Sequence, residues 1–184
     1  MSKYTLADPK TDYNRLTCSS FAAALGLSPF RTPKELKDIL TKVVPPPDLS
    51  SNVHIIRGNT LEPDAFAWYA KYINSSVTVA KYRYIPIWDS RLSGTPDGLV
   101  GEDGIIEIKC PCYFSGMLPK YYFPQIQGYL AILDREWCDY VEYVPSEDRV
   151  YVKRIKRDRE WWNDAYKKMD EFLISCGIEK RITS

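Results

Sequence analysis

The chain has 184 residues, a formal net charge of +1 at pH 7 and a hydrophobic share of 45%. This length and composition are typical of one folded domain with a substantial core, and they exclude a polycation. No apolar run approaches the ~20 residues needed to cross a bilayer. The N-terminal residues lack the apolar stretch of a secretory signal. We therefore expect an intracellular protein without a membrane span, folded as one domain over residues 1–184.

The numbers of cysteines and histidines argue against several kinds of structural and catalytic site. The chain has five scattered cysteines and one histidine, His54. An odd number of cysteines in a chain of this size is unlike a disulfide scaffold. Cys110 and Cys112 lack a second Cys/His pair to complete a tetrahedral zinc site, and one histidine argues against a Ser-His-Asp hydrolase. We expect the cysteines to pack as small apolar groups, with metal binding at Cys110 and Cys112 as the alternative.

The predicted elements begin with two short helices. Residues 17–25 favour a helix that closes at Gly26, in a position that suits a left-handed C-cap. Thr32 and Glu35 form a capping box around a proline at the first helical position. The second helix is therefore predicted over residues 32–43.

A third helix and a strand follow. The helix is predicted to begin near Thr60, because Pro63 is tolerated only in the first helical turn. Its apolar residues recur at helical spacing as far as Tyr72. Residues 77–85 then alternate as in a strand.

The second half of the chain predicts a sheet with further helices. Residues 94–109 indicate a β-hairpin, because the glycines and acids at 101–104 suit a turn. A helix, a second hairpin and an amphipathic helix complete the chain, at residues 124–133, 139–155 and 160–175. We predict an α/β fold in which helices flank a mixed β-sheet on both faces, with a helical part at 1–75 and a catalytic part at 76–184.

Two features near the C-terminus allow two interpretations each. The stretch from Arg149 to Arg159 holds six basic residues opposed only by Asp158. It suits either contact with phosphates or a strand edge protected by charge. Trp161 and Trp162 either pack against the sheet or form part of a subunit interface, where aromatic residues are enriched.

The strand near residue 107 carries the candidate chemistry. Side chains alternate along a strand, so Glu107 and Lys109 face one way while Ile106 and Ile108 face the other. Folding of the hairpin brings Asp97 to the level of Glu107. Two neighbouring carboxylates repel each other unless a cation lies between them, and hard oxygen ligands suit Mg²⁺ or Mn²⁺. The alternative for Asp97 is a turn residue in Pro-Asp-Gly.

The acids and the lysine, taken with Glu62 on the preceding helix, resemble the PD-(D/E)xK nuclease superfamily and its restriction-endonuclease-like core. Five segments in chain order are also similar to the lambda-type exonucleases, the phage and viral alkaline exonuclease and recombinase family. These segments match its (I/L)-T-A-S, G-x-x-x-E-x-x-A, S-P-D-G-L, E-(I/L)-K-C-P and Y-x-x-Q-x-Q motifs at residues 16–19, 58–65, 93–99, 107–111 and 122–127.

The resemblance implies the roles of the site residues. It assigns the site for Mg²⁺, or for Mn²⁺ as a substitute, to Asp97, Glu107, Ile108 through its carbonyl, and Glu62 directly or through water. Lys109 would orient the attacking water and help deprotonate it, or would stabilise the charge of the transition state. Gln125 would hold the nucleophile or the DNA backbone.

A pocket for a 5′-phosphate is a further implication of the resemblance. Ser19 matches the pocket serine of the family, and Arg15 is the candidate cationic partner. Thr95 lies in the segment similar to S-P-D-G-L. Tyr129 lies one helical turn after the first motif glutamine, and ordinary packing is its alternative role. Ser115 stands where the family carries a second arginine.

The resemblance implies a Mg²⁺-dependent exonuclease that digests linear duplex DNA from 5′ to 3′. The 3′ single-stranded tails would serve recombination or viral genome processing, in the host cytoplasm or nucleus. Expected partners are duplex DNA with free ends, a single-strand annealing protein and two further copies in a ring trimer. The alternatives are an endonuclease of the same fold, structure-specific or restriction-like, a non-catalytic DNA-binding module, and a small interaction protein with a chance motif.

Overall fold

A computed structural model describes residues 3–8 and 15–180. The helices within these ranges are α1 (Phe21–Ala24), α2 (Pro33–Leu40), α3 (Val53–Ile73), α4 (Phe123–Leu133) and α5 (Arg159–Ser175). The strands are β1 (Tyr4–Ala7), β2 (Leu16–Thr17), β3 (Val77–Val79), β4 (Arg83–Pro86), β5 (Leu92–Ser93), β6 (Gly98–Val100), β7 (Gly104–Lys109), β8 (Trp137–Val144) and β9 (Arg149–Lys156). Of the described helices, none has both the length and the apolar character of a membrane span.

A five-stranded mixed sheet forms the centre, in the order β3-β6-β7-β8-β9. Strands β7 and β8 are parallel, and the other neighbours are antiparallel. Two small sheets pair β1 with β4 and β2 with β5. The mixed α/β architecture confirms the predicted fold class.

Strand β7 is buried on both faces. Ile105 belongs to the core formed with α4 and α5, whereas Ile106 and Ile108 belong to the core formed with α3. Ile105 and Ile106 are fully buried. The next residue of the strand, Glu107, is 1% exposed. A strand that pairs in parallel and is covered on both faces tolerates few polar side chains, because burying a polar group without a hydrogen bond is costly. The burial of Glu107 therefore requires specific partners.

A buried polar cluster attaches α3 to the sheet. The hydroxyl of Tyr69 donates to Asp139 at 2.7 Å, and Arg154 donates to both oxygens of the same carboxylate at 2.8 Å. Asp139 is 2% exposed, so its charge is stabilised by these charge-assisted bonds rather than by water. This cluster fixes the helix that carries Glu62 against the strands that carry the other acids.

The predicted start of the third helix near Thr60 is wrong. Helix α3 begins at Val53, and the side chain of Asn52 caps it by accepting from the amides of His54 and Ile55 at 3.0 and 3.3 Å. Pro63 therefore lies inside the helix. A proline removes one backbone hydrogen bond, and the buried face of a 21-residue helix offsets that loss.

Other predicted bounds also differ from the structure. The first helix is shorter than 17–25, because Leu16–Thr17 pairs with β5 and Cys18–Ser20 forms a 3₁₀ turn. The second helix ends at Leu40 instead of Val43.

The strand predicted at 77–85 is two strands, β3 and β4, which join different sheets. The C-cap at Gly26, where φ is +70°, is confirmed, as are both hairpins and the two C-terminal helices.

Two glycines give a matched test of packing. A Cβ at Gly104 would lie 2.3 Å from the ring of Trp137, whereas a Cβ at Gly58 in α3 has no other heavy atom within 4 Å. We expect Gly104→Ala to lower the free energy of unfolding by about 1–3 kcal/mol through overpacking. Gly58→Ala should raise it by about 0.5–1 kcal/mol, because alanine favours the helix. Urea denaturation measures both, and equal effects of the two substitutions would contradict this packing.

Candidate active site

The β6–β7 hairpin brings two predicted acids together. The register pairs Gly98 with Ile106, which places Asp97 beside Glu107 just before β6 begins. Oδ2 of Asp97 accepts a hydrogen bond from the amide of Ile108 at 2.5 Å. The carboxylate of Asp97 is therefore held across the hairpin, at the end of β7 where Lys109 also lies.

Glu107 is the most constrained of the acids. Its Oε1 accepts from Nζ of Lys109 at 2.5 Å and from Nε2 of Gln125 at 2.6 Å. Its Oε2 is buried and has no hydrogen-bond partner among the described residues. Because a buried carboxylate oxygen without a partner is costly, this atom marks a position that suits a cation.

The electrostatics of the cluster show an excess of negative charge. Burial and the neighbouring Asp97 raise the pKa of Glu107 to about 8. Burial also raises the pKa of Asp97, although Lys109 opposes that shift. Burial lowers the pKa of Lys109, but the two carboxylates outweigh it and the net pKa lies above the usual value. Lys109 is therefore held as an ammonium group.

Glu62 approaches the same cluster from α3. It is half-buried, and burial followed by repulsion from Asp97 raises its pKa. Nε of Arg57, on the same helix, donates to the carbonyl of Pro111 at 3.2 Å. That bond attaches α3 to the segment that follows Lys109, and it helps to fix Glu62 relative to β7.

These donors fit a hard divalent cation. Within residues 3–8 and 15–180, no group of three or more His, Cys, Asp or Glu side chains forms a ready-made metal cluster. Lys109 and Gln125 share one oxygen of Glu107, and its other oxygen has no hydrogen-bond partner among the described residues. Carboxylate oxygens with open positions are the ligands that Mg²⁺ and Mn²⁺ prefer. Asp97 and Glu107 are thus the residues best placed to hold such an ion, with Glu62 nearby.

Helix α4 contributes the polar wall of the site. The amide of Gln125 donates both to Glu107 and, at 2.8 Å, to the hydroxyl of Tyr129. Gln125 is 8% exposed and Tyr129 is 4% exposed, so both belong to the interior of the site. The second glutamine of the motif, Gln127, is turned to the opposite side and bonds the backbone of Lys156 and Asp158. Its place in the motif was the only sequence signal for that role.

A cavity of about 210 Å³ lies next to Tyr129. It gathers three of the predicted phosphate-binding residues, Ser19, Thr95 and Tyr129, and its full lining is Thr17, Cys18, Ser19, Arg83, Gly94, Thr95 and Tyr129. A Cβ at Gly94 would lie 2.7 Å from Sγ of Cys18, so only glycine permits this close approach of the walls.

The cationic residue that lines this cavity is Arg83 and not the predicted Arg15. Nε of Arg15 donates to the carbonyl of Ser90 at 2.5 Å, and Arg15 is not part of the lining. Arg83 begins β4, which pairs with β1 and bridges to Gly94 through Tyr84. Sequence reasoning missed Arg83, because a basic residue in an alternating strand carries no distinguishing signal.

Ser115 takes a structural position in place of the family's second arginine. Glu142 is fully buried, and it accepts from the amide and hydroxyl of Ser115 at 2.6 and 2.9 Å and from the amide of Gly116 at 3.1 Å. The register pairs Glu142 with Lys109. Glu142 therefore anchors the loop after the catalytic strand, a role that sequence reasoning missed.

Burial differs among the cysteines and between the two tryptophans. All five cysteines are free, with Cys110 buried and Cys112 exposed. Trp162 is 9% exposed in the core, and the ring of Trp161 packs edge-to-face on Phe123 with centroids 5.0 Å apart. Trp162 therefore packs in the core, whereas Trp161 is half-buried on Phe123 and its place in a subunit interface stays a prediction.

A match to a protein-family model shows the family of this chain. The model of the YqaJ-like viral recombinase domain matches residues 11–136, which is more than half of the chain. The chain belongs to this family. The prediction of a lambda-type recombinase and exonuclease relationship is thereby confirmed. A search among curated proteins found no match.

Solved structures agree with this family. The alkaline exonuclease LHK-Exo from Laribacter hongkongensis is 27% identical, with a TM-score of 0.77 over 89% of this chain and 88% of that chain. Its complex with dAMP aligns with a TM-score of 0.78, at the same identity and coverage. A phage-related exonuclease from Haemophilus somnus 129PT, 16% identical, shares the fold with a TM-score of 0.67 over 89% and 92% of the two chains. The family and the likeness to LHK-Exo indicate that this recombinase-family protein is a DNA nuclease.

The raised pKa of Glu107 predicts how stability depends on pH in metal-free protein. The ordinary pKa of a glutamate is about 4.3, so between about pH 5 and pH 8 the folded state favours a proton that the unfolded state has lost. The free energy of unfolding should therefore fall as the pH rises across this window, by at most about 1.4 kcal/mol per pH unit for this group. Glu107→Gln should flatten the dependence in urea titrations with EDTA.

Glu102→Gln, at an exposed position in the β6–β7 turn, is the matched control and should keep the dependence of the unaltered protein. An equal pH profile for Glu107→Gln and the unaltered protein would show that Glu107 does not titrate in this way.

Proposed function

We propose that this protein is a Mg²⁺-dependent exonuclease that digests linear double-stranded DNA from the 5′ end and leaves 3′ single-stranded tails. The observation that carries the proposal is the adjacent pair of Asp97 and the buried Glu107, in which Lys109 bonds Oε1 of Glu107 while Oε2 has no hydrogen-bond partner among the described residues. This donor set suits a cation and a phosphodiester together. The alkaline and phage-related exonucleases of the same fold support the choice of an exonuclease.

Asp97 and Glu107 would hold the ion, with the Ile108 carbonyl and Glu62 as further ligands. Bound Mg²⁺ supplies Lewis acidity to the scissile phosphate and lowers the pKa of the attacking water. The carboxylate of Asp97 is kept in place by the Ile108 amide, so it needs little rearrangement to act as a ligand.

Lys109 acts as a hydrogen-bond donor rather than as a base. Its pKa is raised by Glu107 and Asp97 against the effect of burial, so the group keeps its proton at neutral pH. An ammonium in this position orients the water nucleophile and stabilises the negative charge that develops on the phosphate. In the metal-free protein, this protonation state fits stabilisation of charge better than deprotonation of water.

Gln125 orients the carboxylate of Glu107. By donating to Oε1 it leaves the other oxygen, Oε2, buried and without a hydrogen-bond partner among the described residues. The same amide bonds Tyr129, which lines the cavity of Ser19, Thr95 and Arg83. The chain of contacts from Glu107 through Gln125 to Tyr129 therefore connects the hydrolytic centre with that cavity.

The cavity is suited to a terminal 5′-phosphate. Arg83 supplies a guanidinium, and Thr17, Ser19 and Thr95 supply hydroxyl groups. A phosphate held here would place the first nucleotides of one strand toward Glu107, which favours attack from a DNA end. Arg83 replaces Arg15 in this assignment.

The expected partner protein, oligomeric state and site of action rest on the family resemblance alone. A single-strand annealing partner, a ring of three copies and an intracellular site of action in viral recombination or genome processing stay predictions. Endonuclease action and DNA binding without catalysis are outcomes of the first test below.

The first test uses purified protein with Mg²⁺ and two substrates, linear duplex DNA and closed circular duplex DNA. We expect loss of linear DNA only, and a decrease in rate of about 100-fold or more in Lys109→Ala, because one donor to the transition state is removed. Lys71→Ala, at an exposed position on α3, is the matched control and should be fully active. Cleavage of the circle would indicate an endonuclease, and no cleavage of either substrate would leave a binding module.

The second test addresses the terminal phosphate. Linear duplexes with a 5′-phosphate or a 5′-hydroxyl should be digested at different initial rates, with the phosphate preferred. We expect Arg83→Gln to reduce this preference by about tenfold or more, since a charge-assisted contact is lost. The exposed neighbour Lys81→Gln should keep the preference. Unchanged discrimination in Arg83→Gln would remove Arg83 from the phosphate site.

A further inference from the structure

A second, larger cavity lies along the edge of the central sheet. Its volume is about 590 Å³, and it runs beside β9 and the first residues of α4 and α5. Its lining combines three apolar side chains with five cationic and two acidic ones: Leu118, Phe123, Ile155, Lys153, Arg154, Lys156, Arg157, Arg159, Asp158 and Glu160. We call this set the basic groove.

Two cations of the basic groove are available to a ligand. Arg154 bonds Asp139, Arg157 pairs with Asp134, and Arg159 pairs with Glu136. Within the part of the chain that the structure describes, the exposed side chains Lys153 and Lys156 have no ion pair. Their charges are therefore not neutralised by the protein, and an anionic partner would gain from them.

One lysine of the basic groove, Lys153, shares a sheet face with Glu107. Glu107 on β7 pairs with Tyr140 on β8, which pairs with Lys153 on β9. Residues paired directly across neighbouring strands point to the same face. Their spacing puts the Cα atoms of Glu107 and Lys153 roughly 10 Å apart, because neighbouring strands are separated by about 4.8 Å.

Two aromatic rings, of the half-buried Tyr122 and the buried Tyr140, lie between the two sites. The ring of Tyr122 lies 5.8 Å from that of Tyr140, and Nζ of Lys109 is 5.1 Å from the Tyr122 centroid. Phe123 lines the basic groove itself and is supported by Trp161. A positive groove with aromatic side chains is the arrangement that binds single-stranded nucleic acid without reading its sequence.

Gln127 fixes the basic groove relative to the active site. It is fully buried, and it bonds the Lys156 carbonyl at 2.9 Å and the Asp158 amide at 2.8 Å. The same helix α4 carries Gln125, which contacts Glu107. The two sites are thus mounted on one rigid element, which lowers the cost of binding one strand at both.

We propose that the basic groove binds single-stranded DNA next to the hydrolytic centre, through phosphate contacts of Lys153 and Lys156 and stacking on Phe123. The inference rests on the proposed function, since it concerns how the same DNA continues beyond the cleavage site. The position of Lys153 on the Glu107 row favours nucleic acid over an acidic protein segment, the other partner that an open basic strand edge suits.

The test is an equilibrium binding experiment that needs no catalysis. Fluorescent oligothymidylate with a 5′-hydroxyl is titrated with protein in EDTA over a range of salt concentrations. We expect the double variant Lys153→Gln/Lys156→Gln to bind more weakly. Its slope of log affinity against log salt should be shallower by about 1.4, from two lost contacts to a single strand.

The matched control is Lys71→Gln/Lys168→Gln, which removes the same charge from exposed positions on α3 and α5 and should bind as the unaltered protein does. Equal oligothymidylate binding by the groove variant and the unaltered protein would overturn the proposal. So would binding of a poly-glutamate peptide that depends on these lysines while oligothymidylate binding does not, because the groove would then be a protein-docking surface. Because hydrolysis is not measured, failure of the nuclease proposal would appear only in the linear-duplex assay.

Discussion

The site depends on the burial of one carboxylate in a strand covered on both faces. Glu107 is 1% exposed, and it is stabilised on one oxygen by Lys109 and Gln125 while the other oxygen has no protein partner. An arrangement of this kind is costly for folding alone, because the charged form of a buried acid is disfavoured. It is consistent with a site whose most favourable state includes a cation that the protein does not itself supply.

The surrounding elements are arranged to keep that carboxylate in place. The hairpin holds Asp97 through the Ile108 amide, and α3 brings Glu62 to the same end of the strand. The buried bonds of Asp139 attach α3 to the sheet. The fold thus accepts an unfavourable burial in order to position these side chains. This is common at catalytic sites, where local strain and burial are compensated by the rest of the fold.

Helix α4 connects the two cavities with the acidic pair. Helix α4 faces the smaller cavity with Tyr129, the acidic pair with Gln125 and the basic groove with Gln127. One helix therefore contacts three regions that differ in charge: a cavity with Arg83, an acidic centre and a basic edge. Alternation of this kind suits a polyanion that is cut at the acidic centre and held on either side of it.

The sequence determined the local features of this protein. Alternation along residues 104–109, the turn residues at 101–104 and the order of the motifs predicted the hairpin, the mixed sheet and the proximity of Asp97 to Glu107. Alternation and turn chemistry act over a few residues, so they can be read without a fold. The exception was α3, where Pro63 signalled a helix start, although tertiary packing extended the helix back to Val53.

Only the tertiary structure decided which distant side chains meet. Arg83 enters the small cavity, and Glu142 anchors Ser115, through contacts between elements far apart in the chain. A basic residue in a strand looks the same in sequence whether it faces solvent or a cavity, so no pattern in the sequence indicated Arg83. The burial of Glu107 could not be predicted from the sequence either, because it depends on the packing of α4 over β7. The acidic cluster was readable from residue types at short spacing, whereas the two cavities required the fold that assembles them.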